Sequence, residues 1–99
     1  MNDPRPLLVF FTSTSSGPAR RMESLLAHLA RKERGRLRTT KVDVETHPEL
    51  AEKFGVESVP ALVLVKDKRA VARIDGRASA PKIERMLEPH LPEQALNAA

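Results

Sequence analysis

Apolar residues recur along this chain in two rhythms. Leu7–Thr12 (LLVFFT) and Ala61–Val65 (ALVLV) are short, nearly unbroken apolar runs, the pattern of strands covered on both faces. Between them Met22, Leu25, Leu26, Leu29 and Ala30 return every three or four positions. That spacing lays one apolar stripe along a helix and leaves Arg20, Arg21, Ser24, His28, Arg31 and Lys32 largely on the other side. Pro18 suits the first turn of this helix, because its missing N–H removes a donor that has no intrahelical acceptor. Gly35 marks its stop. Leu37–Glu45 alternates, with Val42 and Val44 to one face and Lys41 and Asp43 to the other, and predicts a second strand.

Thr46-His47-Pro48-Glu49 has the spacing of a capping box, in which a threonine and a glutamate satisfy free N–H groups reciprocally. It predicts a short helix that buries Leu50, Ala51 and Phe54 and ends at Gly55. Ser58-Val59-Pro60 leads into the second apolar run. Asp67-Lys68 predicts a hairpin turn into a last strand, Ala70–Ile74, with Gly76 just beyond. Ser79 opens a final helix with the stripe Ile83, Met86, Leu87 and Leu91, closed by Pro92. The order β-α-β-α-β-β-α predicts an α/β fold with a four-stranded mixed sheet and helices on both faces. The first two crossovers are expected to be right-handed and parallel, and the hairpin to add an antiparallel edge. Residues 1–6 read as a polar lead-in, 7–91 as the domain and 92–99 as a flexible tail.

Composition narrows the chemistry. Ninety-nine residues are enough for one domain with one core. There is no cysteine, which excludes disulfides, thiolate metal sites, iron–sulfur clusters and a cysteine nucleophile. Three scattered histidines (His28, His47, His90) supply no zinc-ligand spacing, so no metal is expected. No apolar run approaches the roughly 18–20 residues of a membrane span. Leu7–Phe11 is shorter than a signal-peptide core, and a cytoplasmic location is the expectation. The net charge of +4 is spread along the chain without an aromatic-rich strand. It therefore reads as solvated surface, not as a nucleic-acid interface.

Several of these residues, in this order, resemble the thioredoxin family. Leu8-Val9-Phe10-Phe11 followed by Ser15-Ser16-Gly17-Pro18-Ala19-Arg20 is similar to that family's strand and its Trp-Cys-Gly-Pro-Cys-Lys/Arg motif at the same spacing. Lys41-Val42-Asp43-Val44-Glu45, then His47-Pro48-Glu49-Leu50-Ala51, resembles the strand and helix that follow. Phe54-Gly55-Val56 through Val59-Pro60-Ala61-Leu62 resembles the segment that carries the family's cis-proline, and Gly76 falls where the family has a glycine beside the active site. The resemblance runs from Leu7 to Leu91 and implies the minimal thioredoxin fold. Six residues precede Leu7, so it implies the core without the family's first strand and helix, as in glutaredoxin-like proteins.

The departures are chemical. Ser16 stands at the attacking cysteine and Ala19 at the resolving one, Ser15 replaces the tryptophan, Phe10 the buried aspartate, and Ser24 the kink proline. Family oxidoreduction needs a low-pKa thiolate and a second thiol, and these vestigial positions offer neither. Ser16 has three readings: an N-cap of the helix; with the hydroxyls of Thr12–Ser16, an anion or glutathione site at a helix N-terminus; or a serine that stabilises a glutathione thiolate, as the resemblance to thioredoxin-fold glutathione transferases implies. Lys41, beside Phe10, is expected to meet Asp43 or solvent. The resemblance also implies that Val59-Pro60 presents a backbone edge to an extended peptide. The expectation is a non-catalytic module that holds a peptide or protein on Ser15, Ser16, Gly17, Pro18, Val59, Pro60, Gly76 and Arg77, with no cofactor. The alternatives are a glutathione- or anion-binding protein using Ser16, and a structural subunit of an oligomer. The module itself is expected as a monomer or weak oligomer.

Overall fold

The run Leu7–Thr12 forms the first strand, β1, which takes a central place in the sheet. The computed structural model describes residues Asp3–Glu93. After β1 come α1 (Gly17–Lys32), β2 (Arg38–Asp43), α2 (Pro48–Lys53), β3 (Ala61–Lys66), β4 (Arg69–Asp75) and α3 (Ala80–Leu87), with a 3-10 turn at Glu88–His90. The sheet order is β2-β1-β3-β4. Side chains alternate across β1, so Leu8 and Phe10 face α1 and α3 together with Leu62, Leu64, Met22, Leu26, Ile83 and Leu87. Val9 and Phe11 face the other way, onto Val42, Ala51, Ala61 and Val63, with Phe54 packed alongside. Helices therefore cover both faces. Phe11 is wholly buried, and its ring meets that of Phe54 with centroids 5.8 Å apart at a tilted angle of 57°, an arrangement that suits two aromatic quadrupoles.

β1 and β2 are parallel and in register, from Leu7 opposite Arg38 to Thr12 opposite Asp43. The expected parallel second crossover is not formed. β3 runs antiparallel to β1, with Phe11 opposite Ala61 and Leu7 opposite Val65. A parallel β3 would need the connection to carry the chain back along the strands by about 20 Å. The six residues of α2 cover about 9 Å and the segment after it does not make up the rest, so the chain re-enters the sheet at the end where β2 left it and runs the opposite way. β3 then turns directly into β4 as an antiparallel hairpin. Asp67 and Lys68, with φ of 53° and 67°, form a two-residue turn with both residues left-handed, the arrangement whose twist matches that of the flanking strands.

Two local expectations are corrected. β2 is shorter than Leu37–Glu45 because the Asp43 carbonyl accepts from Thr46 N and His47 N, which turns the chain. The capping box does not form: His47 is the N-cap of α2 and has no side-chain cap bond, while the Thr46 hydroxyl donates back to the Asp43 carbonyl at 3.2 Å. The described part of the lead-in is tied to the fold. Pro6 is fully buried, its carbonyl accepts from Arg38 N at 2.9 Å, and Arg38 also donates to the Arg5 carbonyl. Hydrogen bonds from Arg5 hold the Asp3 carboxyl down at about 2. Of the expected tail, Pro92 accepts from Arg36 at 3.1 Å, and positions 94–99 lie outside the described residues.

The final helix carries the test of this packing. Ser79 caps it by accepting from Lys82 N, and Ile83 is 0% exposed between the helix and the sheet. Ile83→Ala removes three buried carbons and leaves a cavity, so urea unfolding should show a loss of about 2–5 kcal/mol. Val71→Ala, at a position 38% exposed on β4, should change stability by less than about 0.5 kcal/mol.

Candidate functional site

The strand registers bring four connecting segments to one end of the sheet. Thr12 lies beside Asp43, Phe11 beside Ala61, and Ala61 beside Asp75. Ser13–Ser16, Val44–His47, Ser58–Pro60 and Gly76–Ser79 therefore all border this end. Ser16 is the N-cap of α1: its backbone is extended and its Oγ accepts from Ala19 N at 3.1 Å. One of the orphan N–H groups of the first turn is satisfied in this way. Ala19 is completely buried.

The hydroxyls before Ser16 form an internal chain. Ser13 Oγ lies 2.9 Å from Glu45 Oε1 and 2.8 Å from Ser15 Oγ. An ionised carboxylate only accepts, so Ser13 gives its one hydroxyl proton to Glu45 and receives that of Ser15. Ser13 Oγ also accepts from Ser15 N at 3.2 Å, and Thr14 donates to the same carboxylate oxygen at 3.3 Å. Glu45 thus takes up the donors that the sequence offers to an external anion. Thr12 Oγ1, beneath this loop, is buried without a hydrogen-bond partner.

Opposite the loop, the Val59–Pro60 peptide is cis. Pro60 is buried and its carbonyl accepts from Gly76 N at 2.9 Å. Gly76 has φ of 87°, a backbone conformation that side-chain-bearing residues rarely adopt. Pro18 and Arg77 line one groove of about 400 Å³ with Arg21, Met22, Leu25, Ala78 and Ser79. Val59 is turned away from that groove, half-buried in the cluster on the α2 face. Pro18 and Arg77 share that groove, the Pro60 carbonyl meets Gly76 N, and only the side chain of Val59 belongs to the opposite layer. Phe10 packs in the core beneath α1. Lys41, opposite Phe10 in the ladder, reaches Glu23 on α1 at 3.7 Å instead of Asp43.

Glu45, Met22 and Leu25 are contributors that sequence reading did not assign to the site. A signal for Glu45 was present: in a parallel ladder that pairs Thr12 with Asp43, the residues just beyond both strands become neighbours. Among the described residues there is no group of three or more His, Asp or Glu placed to hold a metal ion, and no helix is long and apolar enough to cross a membrane.

Comparison with known proteins gives a consistent result. The thioredoxin family model matches residues 1–89. The chain is 36% identical over 88 residues to thioredoxin of Mycobacterium tuberculosis, covering 89% of this chain and 76% of that protein. It is 34% identical to the bifunctional thioredoxin reductase/thioredoxin of Mycobacterium leprae, covering 89% of this chain but 19% of that much longer one. Among solved structures, Fasciola hepatica thioredoxin superposes with a TM-score of 0.81 at 30% identity, covering 88% of this chain and 82% of that one. Thioredoxin NaTrxh from Nicotiana alata gives 0.84 at 27% identity, covering 90% and 76%.

Two substitutions test the local energetics in opposite directions. Ser16→Ala removes the cap and should cost about 1 kcal/mol in denaturant unfolding. Thr12→Val replaces the unpaired buried hydroxyl with a methyl of similar shape and should stabilise by about 1–2 kcal/mol, which differential scanning calorimetry should read as a raised Tm.

Proposed function

The chain belongs to the thioredoxin family, and from that premise we propose that it is a non-catalytic member that holds a peptide or protein segment at the end of the sheet described above. One observation carries this reading. Ser16 and Ala19 occupy the motif positions as a helix cap and a core residue, while the surface around them keeps its backbone contacts, Pro60 to Gly76 above all. Thiol–disulfide exchange proceeds by thiolate attack through a mixed disulfide, and a chain with no cysteine supplies no sulfur for either step. What remains is a binding surface, with the Pro18–Arg77 groove as its concave part.

Glutathione or anion capture at Ser16 draws less support. The Ser13 and Thr14 donors are engaged by Glu45, and a fixed carboxylate beside the loop repels a second negative group.

Two measurements check the proposal. In an insulin-reduction assay supplied with dithiothreitol, the protein should leave the background rate unchanged, and turnover above background would overturn the non-catalytic reading. Ser16→Cys combined with Ala19→Cys should raise the rate measurably, because a cysteine at this helix N-terminus gains thiolate character. Selection of a displayed random-peptide library on the immobilised protein should yield ligands that shift the amide resonances of Ser16, Gly17, Gly76 and Arg77. A library that yields no ligand, or ligands whose shifts all lie elsewhere, would remove the binding role.

A further inference from the structure

Resting on the binding reading above, we infer that the segment held here is an extended peptide with acidic side chains flanking an apolar one. The apolar side chain enters the groove between α1 and the Gly76–Ser79 segment, and the carboxylates lie against Arg21 and Arg77.

The walls of this groove are of two kinds. Pro18, Met22, Leu25 and Ala78 are apolar, Arg21 and Arg77 are cationic, and no acidic residue lines it. Elsewhere Arg5, Arg36, Arg38 and Arg73 each have a carboxylate within 4.0 Å among the described residues. The side chains of Arg21 and Arg77 have no ion pair and no hydrogen bond among the described residues, and the neighbouring Arg20 guanidinium has no acidic partner among them. Arg31, Arg34, Arg69 and Arg85 also lack a carboxylate partner among the described residues, but none of them lines the groove.

The placement of Arg21 is electrostatically unfavourable as it stands. Its guanidinium folds back toward the start of α1, with Nη1 3.4 Å from where a side chain on Gly17 would begin. Helix N-termini carry the positive end of the backbone dipole and disfavour cations. The first turn of α1 contains no acid to offset this, and neither does that of α3, which begins at the other rim. Two guanidinium groups and two helix starts therefore share one uncompensated positive region, and the complementary group is a carboxylate, which a guanidinium can take in bidentate fashion. The apolar lining selects a peptide over a bare anion, since a bare anion would leave Met22 and Leu25 uncovered. A nucleic acid is disfavoured because Phe10 and Phe11 are core residues and no aromatic lines the groove on which a base could stack.

The test uses fluorescein-labelled peptides in anisotropy titrations of the whole chain at 50 mM and 300 mM salt. One peptide carries two Asp/Glu on each side of a leucine. A second has every acid replaced by its amide, and a third has the leucine replaced by serine. The acidic leucine peptide should bind at least tenfold more tightly than either variant, and more weakly at the higher salt. Arg21→Gln with Arg77→Gln should weaken it at least tenfold, while Arg31→Gln with Arg85→Gln changes it less than twofold. Unchanged thermal melts would show that both double variants are folded. Equal binding of the acidic and amide peptides, or equal loss from the two arginine pairs, overturns the acidic preference. If library-selected neutral peptides bind this surface and the acidic one does not, this inference fails and the binding role stands. If no peptide of either kind binds, both fail.

Discussion

Burial of β1 on both faces is the constraint from which the rest of the molecule follows. A strand covered by helices above and below has no solvent for its backbone, so each of its N–H and C=O groups needs a neighbouring strand. β2 supplies one side and β3 the other. The alternation of Leu8 and Phe10 against Val9 and Phe11 fixes which side chains belong to which helical layer. A one-residue slip would exchange the two sets, placing Phe11 under α1 where Phe10 now fits. The same register lines up the ends of four strands, which is why residues as distant in sequence as Ser16, Pro60 and Gly76 border one surface.

The chemistry at that surface has changed consistently. In the family that this chain resembles, a buried aspartate serves a cysteine proton, and here the position is Phe10, in the core beneath α1. A carboxylate in that place would be a desolvated group with no thiol to serve, at a cost of several kcal/mol, whereas an aromatic ring adds apolar burial. Ala19 is sealed in the same layer. Ser16 keeps only the part of its position that concerns the backbone, covering the N–H of Ala19. These replacements favour packing and capping at the places where a redox protein keeps polar, reactive groups.

Much of this was legible in the sequence, because each element carried its own local signal. The stripe from Met22 to Leu29 and the Ser79 start gave α1 and α3 to within a few residues. The direction of β3 was not legible from the element order alone. That direction depends on how far the whole connection over residues 44–60 carries the chain, and the count of β and α segments does not include distance. The capping box failed for a related reason: Thr46 had the right spacing, but the Asp43 carbonyl lay closer to its hydroxyl than the start of the helix did. At the site, Ser16 as a cap was readable from its place before Gly17-Pro18. The layer that the Val59 side chain enters was not, since it depends on how the strands are paired.

The hydroxyl run shows where such a reading meets its physical limit. Ser13, Thr14, Ser15 and Ser16 in succession look like donors awaiting an anion, and hydroxyls do bond to whichever acceptor reaches them first. The parallel pairing of β1 with β2 puts Glu45 within reach of Ser13 and Thr14, so the acceptor belongs to the chain itself and is present at all times. An incoming anion would have to compete with a tethered carboxylate that is held beside these hydroxyls at high effective concentration. On the α1–α3 side the situation is reversed, since Arg21 and Arg77 line a groove with no acid in its walls. Charge satisfied on one flank and unsatisfied on the other gives this end of the sheet a polarity. Whatever binds there meets its electrostatic attraction on the arginine side.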